Sequence, residues 1–310
     1  FVRVLKLHLA EEWRLMMRRS MLFVPGNTPN LIINSNCMGA DAIIFDLEDA
    51  VAPAEKDSAR LLVRNAIKYM NFSGIEIVVR INSLDTSFWK EDLNQILPSG
   101  PNIIMLPKTS SANDVSVLSA YLRDFEEKLG LELNHFKIMP LIETALGIEN
   151  AYNIASSDKS VCAIFLGAED LTADLRCKRT KEGHEIDYAR SRMVMAARAA
   201  GVDVYDTPFT DVNDDDGIIT DSEYAKSLGF TGKASISPRH LDTINTVFSP
   251  SIADIKYAYE VMDAIELAAA QGRGAIALRG KMIDAPIVAR AKNTIEMAEA
   301  IGIRKEQIDE

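Results

Sequence analysis

Short, nearly continuous apolar runs recur along this chain, and a stretch with helical spacing follows each one. The runs are Ser20–Pro25, Ala42–Leu47, Glu76–Asn82, Asn102–Lys108, Lys137–Glu143, Cys162–Ala168, Val202–Pro208 and Lys233–Pro238. They do not alternate between apolar and polar positions. A strand with one wet face alternates, whereas a parallel strand covered on both faces reads as a single apolar block. Between the runs, Ala54–Tyr69, Ala112–Leu129 and Asp187–Ala200 read as helices. In the last, Met193, Ala196, Ala197 and Ala200 share a face.

Eight strand–helix units in succession predict an α/β fold, a (β/α)8 TIM barrel of ~250 residues, here over residues 18–248. A doubly wound open sheet would show fewer strands and a Gly-x-Gly-x-x-Gly turn after the first; Gly26 stands alone there. The rhythm changes at Ser249. Pro250 precedes a helix over Ile252–Ala270; Gly272 and Gly274, a short extended run to Met282, and Asp284–Ala285–Pro286 lead to a final helix ending near Ala300. Residues 249–310 are therefore expected to form a C-terminal helical extension, packed on the barrel or on a neighbouring subunit. Residues 1–17 are set apart as a leader. They are basic but lack the long apolar stretch and small-residue cleavage site of a signal peptide, which leaves an amphipathic helix or an extended gene start.

Composition narrows the partners. Of the 310 residues, 47% are hydrophobic, enough for a sizeable core. Thirty-four basic against 45 acidic residues give a net charge of -11, which repels phosphate backbones and anionic headgroups. Neither nucleic acid nor membrane is expected as a partner, and no run approaches the ~20 apolar residues that span a bilayer. Cys37, Cys162 and Cys177 are odd in number and lack ligand spacing, which suits a cytoplasmic location with Cys162 a buried thiol.

In such a barrel the C-terminal ends of the strands face the active site. The second run ends in Asp46–Leu47–Glu48–Asp49, the third in Arg80–Ile81–Asn82, the fourth in Pro107–Lys108, the fifth at Glu143, and the sixth runs into Gly167–Ala168–Glu169–Asp170. Carboxylates with no histidine or cysteine beside them suit a hard divalent cation, and Mg2+ keeps waters that substrate oxygens can replace. Glu143 and Asp170 end adjacent strands and are the expected metal ligands. Glu48 and Asp49 are expected to hydrogen-bond around that site; Asp49 equally suits a helix cap. Arg80 needs an anion at the end of an apolar strand, either Glu48 or a substrate oxygen that gains charge. Lys108 reads equally as a substrate contact or a rim salt bridge. His8 lies in the leader, and His135, His184 and His240 read as surface residues. Asp214–Asp215–Asp216–Gly217 lacks the ligand spacing of a calcium loop and reads as a solvated turn.

Five segments, taken in order, resemble the beta subunits of citrate lyase. They are Arg18–Asn27 (RRSMLFVPGN), Phe45–Val51 (FDLEDAV), Leu141–Thr144 (LIET), Gly167–Leu171 (GAEDL) and Lys281–Pro286 (KMIDAP). The wider relatives include citramalyl-CoA and malyl-CoA lyases and metal-dependent pyruvate aldolases. The resemblance implies a homotrimer of barrels, Mg2+ on Glu143 and Asp170, and substrate contact by Arg80 and Glu143. It implies that Asp284 reaches a neighbour's active site as an acid/base; a turn or cap before Pro286 is the plainer account of that residue. It further implies cleavage of a citryl thioester borne on an acyl carrier protein or on coenzyme A, beside citrate lyase alpha and gamma subunits. A citramalyl-CoA or malyl-CoA lyase and a non-catalytic subunit that binds acyl thioesters are the alternatives. The histidine base of the aldolases has no counterpart near Asp49.

Overall fold

The computed structural model describes residues 17–270 and 276–305. Most of the expected leader, together with Gly272 and Gly274, lies outside the described residues. The chain divides into two compact units, one spanning Arg18–Phe248 and the other built mainly from the segment that begins at Ser249.

The first unit is the predicted barrel. Its strands are β1 (Ser20–Pro25), β2 (Ala42–Asp46), β3 (Glu76–Arg80), β4 (Ile103–Leu106), β5 (Lys137–Ile142), β6 (Ala163–Leu166), β7 (Asp203–Asp206) and β8 (Gly232–Ser235). They run parallel in sequence order, and β8 closes on β1 through Ser20↔Lys233, Met21↔Ala234 and Leu22↔Ser235. The helices around them are α1 (Pro29–Asn34), α2 (Lys56–Tyr69), α3 (Trp89–Ile96), α4 (Ala112–Leu129), α5 (Ala145–Glu149), α6 (Ala151–Ala155), α7 (Ala168–Asp174), α8 (Asp187–Ala200), α9 (Asp215–Leu228) and α10 (Leu241–Phe248).

Both faces of the strands are apolar because each face has its own core. Met21, Ile44, Val78, Met105, Met139 and Phe165 belong to the set that fills the barrel interior. Their neighbours Leu22, Ile43, Phe45, Val79, Ile104 and Ile164 pack in the layer between strands and helices. This double burial turns the strands into the unbroken runs seen in the sequence.

The strands stop earlier than those runs do. Leu47 and Ile81 are fully buried yet lie past the ends of β2 and β3. Hydrophobicity reports burial, not membership of the hydrogen-bond ladder, so the reading overshot. As a result Glu48, Lys108 and Glu143 sit in loops beyond the strands, and Asp170 sits in the first turn of α7.

Two buried charge networks brace the barrel, and neither was legible in the sequence. Arg18 pairs with Glu76 and Asp203 and hydrogen-bonds the Tyr205 hydroxyl at 3.3 Å. Burial pushes the neighbouring Cys162 thiol up to about 12. Farther along, Arg190 of α8 grips Asp206 and Asp221, and Lys233 of β8 grips the same two carboxylates at 2.6 Å each. His240 corrects the surface reading: it is 1% exposed, and burial lowers its pKa. Asp214 caps α9 by accepting from Gly217 N at 2.9 Å, so the acidic run is a helix start rather than a bare turn.

In the second unit, α11 (Ile252–Ala270) and α12 (Ala285–Ala300) accompany an antiparallel pair, β9 (Ile276–Leu278) and β10 (Lys281–Ile283). Ala258, Val261, Ile283 and Ala291 form its small core. Among the described residues no helix is long and apolar enough to cross a membrane.

Candidate active site

Site construction begins with a strand-end aspartate. Asp46 closes β2, where its carboxylate accepts from the backbone N–H groups of Glu48 (2.9 Å) and Ala50 (3.2 Å) and so folds the loop back over the strand. The same carboxylate receives Arg80 in a two-pronged grip, Nε to Oδ1 at 2.7 Å and Nη2 to Oδ2 at 2.6 Å. Arg80 also places Nη1 2.9 Å from Glu48 Oε2 and lies 5.1 Å from the Phe23 ring centroid. A guanidinium fixed by two carboxylates and an aromatic face has little rotamer freedom left to lose when a ligand arrives.

The loop that carries Glu48 is held from below. Lys56 of α2, itself buried, donates Nζ to the carbonyls of Leu47 (2.6 Å) and Glu48 (2.7 Å). Asn82 donates to Leu47 O at 3.0 Å and is pinned in turn by Asp92. Glu48 is buried; burial raises its pKa, against the pull of Arg80 and Lys108. Lys108 Nζ lies 2.9 Å from Glu48 Oε1 and 3.6 Å from Asp49 Oδ1. Of the two readings offered for Lys108, the structure displays the rim salt bridge. Asp49 is exposed and caps no helix; its neighbour is Lys108.

Glu143 is the first residue beyond β5 and only 4% exposed. The backbone N–H of Lys108 donates to its Oε1 at 2.7 Å, which fixes the carboxyl. Lys108 adopts φ 52 to do this, a left-handed conformation that disfavours any residue with a Cβ. Gly167, after β6, leaves space on the other side: a Cβ there would fall 2.6 Å from Glu143 Oε2. Burial pushes Glu143 up to about 8, helped by the negative charges of Glu48 and Asp170, while the Lys108 N–H and Arg80 pull the other way.

Glu143, Asp170, Arg80, Asp46 and Asp49 line one cavity of about 330 Å³, together with Phe23, Phe165, Thr207 and Ile236. The volume suits a small ligand. Acidic groups from the second, fifth and sixth units and the Arg80 cation therefore meet at one mouth. Sequence reasoning placed Asp46 and Gly167 at strand ends but gave them no role, and it did not single out Lys56 or Thr207, although Thr207 lies at the end of an apolar run. Asp284 belongs to the other unit, where its carboxylate caps α12 by accepting from Ile287 N at 3.1 Å.

The donor set fits Mg2+. A buried carboxyl kept protonated by its surroundings and by two like-charged neighbours is relieved when a cation arrives. Among the described residues no three His, Cys, Asp or Glu side chains close on a point. Any ion here would take two protein carboxylates and fill its remaining positions with water or substrate oxygens, the usual manner of Mg2+.

Comparison with known proteins agrees with this geometry. The chain is 42% identical to the citrate lyase subunit beta of Leuconostoc mesenteroides subsp. cremoris over 92% of its own length and 94% of that protein. It superposes with TM-score 0.74 and 29% identity on a Mycobacterium tuberculosis CitE crystal structure containing magnesium, acetoacetate and coenzyme A, covering 92% of this chain and 99% of that one. A citrate lyase beta subunit from M. tuberculosis complexed with oxaloacetate and magnesium gives TM-score 0.65 and 28% identity over 76% of this chain and 99% of that one. Residues 19–238 match the family described as HpcH/HpaI aldolase/citrate lyase. The barrel, the acidic mouth and these likenesses converge: the chain belongs to the HpcH/HpaI aldolase/citrate lyase family.

Proposed function

We propose that this protein is a Mg2+-dependent carbon–carbon lyase that cleaves a citryl thioester to oxaloacetate and an acetyl thioester. The observation that carries the reading is the buried Glu143 carboxyl, with Asp170 and Arg80 on the same cavity wall. Kinship with a citrate lyase beta subunit over nearly the whole chain supports the substrate class.

Glu143 and Asp170 would hold the ion. Mg2+, when bound, polarises the oxygens of a hydroxy or oxo acid. Arg80 faces the cavity with its charge fixed by Asp46 and Glu48, and it stabilises the negative charge that grows on the substrate oxygen as the hydroxyl proton leaves. The bond between the hydroxyl carbon and the thioester's α-carbon then breaks, and its electron pair passes to the thioester as an enolate. Uptake of one proton at that carbon completes an acetyl thioester and balances the proton lost from the hydroxyl. We assign the proton donor to Asp284 of a neighbouring subunit in a homotrimer. Glu48 and Asp49 support the site through Lys108 and Arg80, and Lys108 lends the mouth a cation for substrate carboxylates. The same reading places the protein in the cytoplasm, with alpha and gamma subunits as partners and an acyl carrier protein or coenzyme A bearing the thioester.

Calorimetry of oxaloacetate and pyruvate, with and without Mg2+, tests the proposal. Oxaloacetate should bind only with Mg2+ and more tightly than pyruvate. A preference for pyruvate would move the substrate to the citramalyl class, and metal-independent or absent binding of both would leave a non-catalytic subunit.

A further inference from the structure

We propose that the loop after α7 carries a phosphate-binding subsite, in which Arg176 and Lys178 grip the phosphorylated end of the pantetheine arm that bears the thioester. The inference rests on the thioester reading above and adds to it the place where the carrier is held.

Four of the six residues Arg176–Lys181 are basic, in a chain whose net charge is -11. The fold has already used the nearby carboxylates. Arg179 Nη1 lies 2.7 Å from Glu185 Oε1, and Glu185 also accepts from the Thr180 backbone (2.9 Å) and hydroxyl (2.7 Å). Although burial pushes the Glu185 carboxyl up, those hydrogen bonds bring it down to about 2, so it stays charged and engaged. Lys181 holds Asp211 at 2.6 Å and Asp214 at 2.9 Å. Asp174 is taken by the Ala145 N–H at 2.7 Å. What remains is Arg176 and Lys178, both exposed, and among the described residues neither makes an ion pair. Glu182 is the one other acidic side chain within the loop, and it is exposed as well.

The loop borders the candidate active site. Arg179 Nε lies 3.8 Å from Glu169 Oε1, and Glu169 lines the cavity. That Nε is buried and has no hydrogen-bond partner, so a donor remains to be used. On its other side the loop is stitched through Lys181 to the segment that follows β7. The seven residues of α7 rise ~10 Å from the turn that carries Asp170 to the basic turn. Arg176 takes φ 58 there, with its N–H on Ala173 O at 3.1 Å. Glycine fits such a turn best, yet the chain spends it on an arginine.

An acidic protein repels a polyanionic coenzyme, so productive approach needs a local patch of the opposite sign. Guanidinium and ammonium groups without an ion pair among the described residues, carried beside the mouth, supply one with phosphate geometry. The 4′-phosphate is common to free coenzyme A and to an arm attached to a carrier protein.

The test is calorimetry on the full chain with Mg2+ and oxaloacetate present, titrating coenzyme A, 4′-phosphopantetheine or unphosphorylated pantetheine. Relative to wild type, R176A/K178A should weaken coenzyme A about tenfold, and R176E/K178E further, with pantetheine and Mg2+–oxaloacetate affinities unchanged. A matching loss for 4′-phosphopantetheine assigns the contact to the shared phosphate; a loss confined to coenzyme A assigns it to the additional phosphates. Equal coenzyme A affinity in wild type and both variants, or equal weakening of pantetheine, overturns the subsite while leaving the lyase reading intact. Absence of Mg2+–oxaloacetate binding in wild type overturns both.

Discussion

Mg2+ can sit on Glu143 only as its carboxyl gives up a proton, and the structure says how hard that is. Burial raises this group to about 8 in the metal-free protein. At pH 7 roughly one molecule in ten is ionised, and at pH 6 roughly one in a hundred, so ionisation costs about 1.4 kcal/mol for each pH unit below 8. Mg2+ affinity should therefore rise about tenfold per unit from pH 6 to 8 and flatten above. At pH 7 each bound ion should expel close to one proton. Calorimetry in buffers of different ionisation enthalpy measures both quantities. The E143Q variant supplies the control, because it removes the titrating group and should lose the slope along with most of the affinity. The linked stability runs the same way. An acid whose folded pKa lies above its unfolded value of 4.5 contributes stability that is fully present below 4.5 and is lost as pH climbs through about 8. The metal-free fold should weaken across that window, and added Mg2+ should raise its melting temperature most at the alkaline end. A Mg2+ affinity that stays flat between pH 6 and 8, or a slope that survives in E143Q, would refute the assignment of Glu143.

Three further outcomes follow from single contacts. G167A puts a Cβ 2.6 Å from Glu143 Oε2; it should lower Mg2+ affinity tenfold or more, while equal affinity would show that Glu143 can move aside. K108G should be more stable to urea than K108A by about 1 kcal/mol, the reverse of the usual order, because φ 52 suits glycine. A less stable K108G would mean that the left-handed turn is not what fixes this loop. K233M leaves Asp206 and Asp221 with one cation fewer in a fully buried network; it should lose about 3–5 kcal/mol in chemical denaturation, and a loss below about 1 kcal/mol would show the network to be dispensable.

How far the sequence could be read depended on the kind of signal each residue carries. Burial on both faces leaves an unbroken apolar run, so β1 to β8 were visible in the chain, as were the helices α2, α4 and α8 and the convergence of Glu48, Arg80, Lys108, Glu143 and Asp170 on one end. Periodicity is a local property, and the closed parallel barrel follows from it with few alternatives. Strand ends were read too far, since Leu47 and Ile81 are buried in the main core although they lie beyond the ends of their strands.

What only the tertiary structure decided was pairing. Arg80 had two possible anions in sequence, and folding gave it Asp46 and Glu48, residues 34 and 32 positions away. The role of Gly167 depends on a side chain 24 positions earlier that needs its empty space. The Arg190–Asp206–Asp221–Lys233 network joins two strands and two helices through charges that are individually unremarkable in the sequence. Ion pairs, close approaches and the protonation of a buried acid depend on distances between residues far apart in the chain. Those distances are set by packing the whole barrel, so they could be seen only once it was folded.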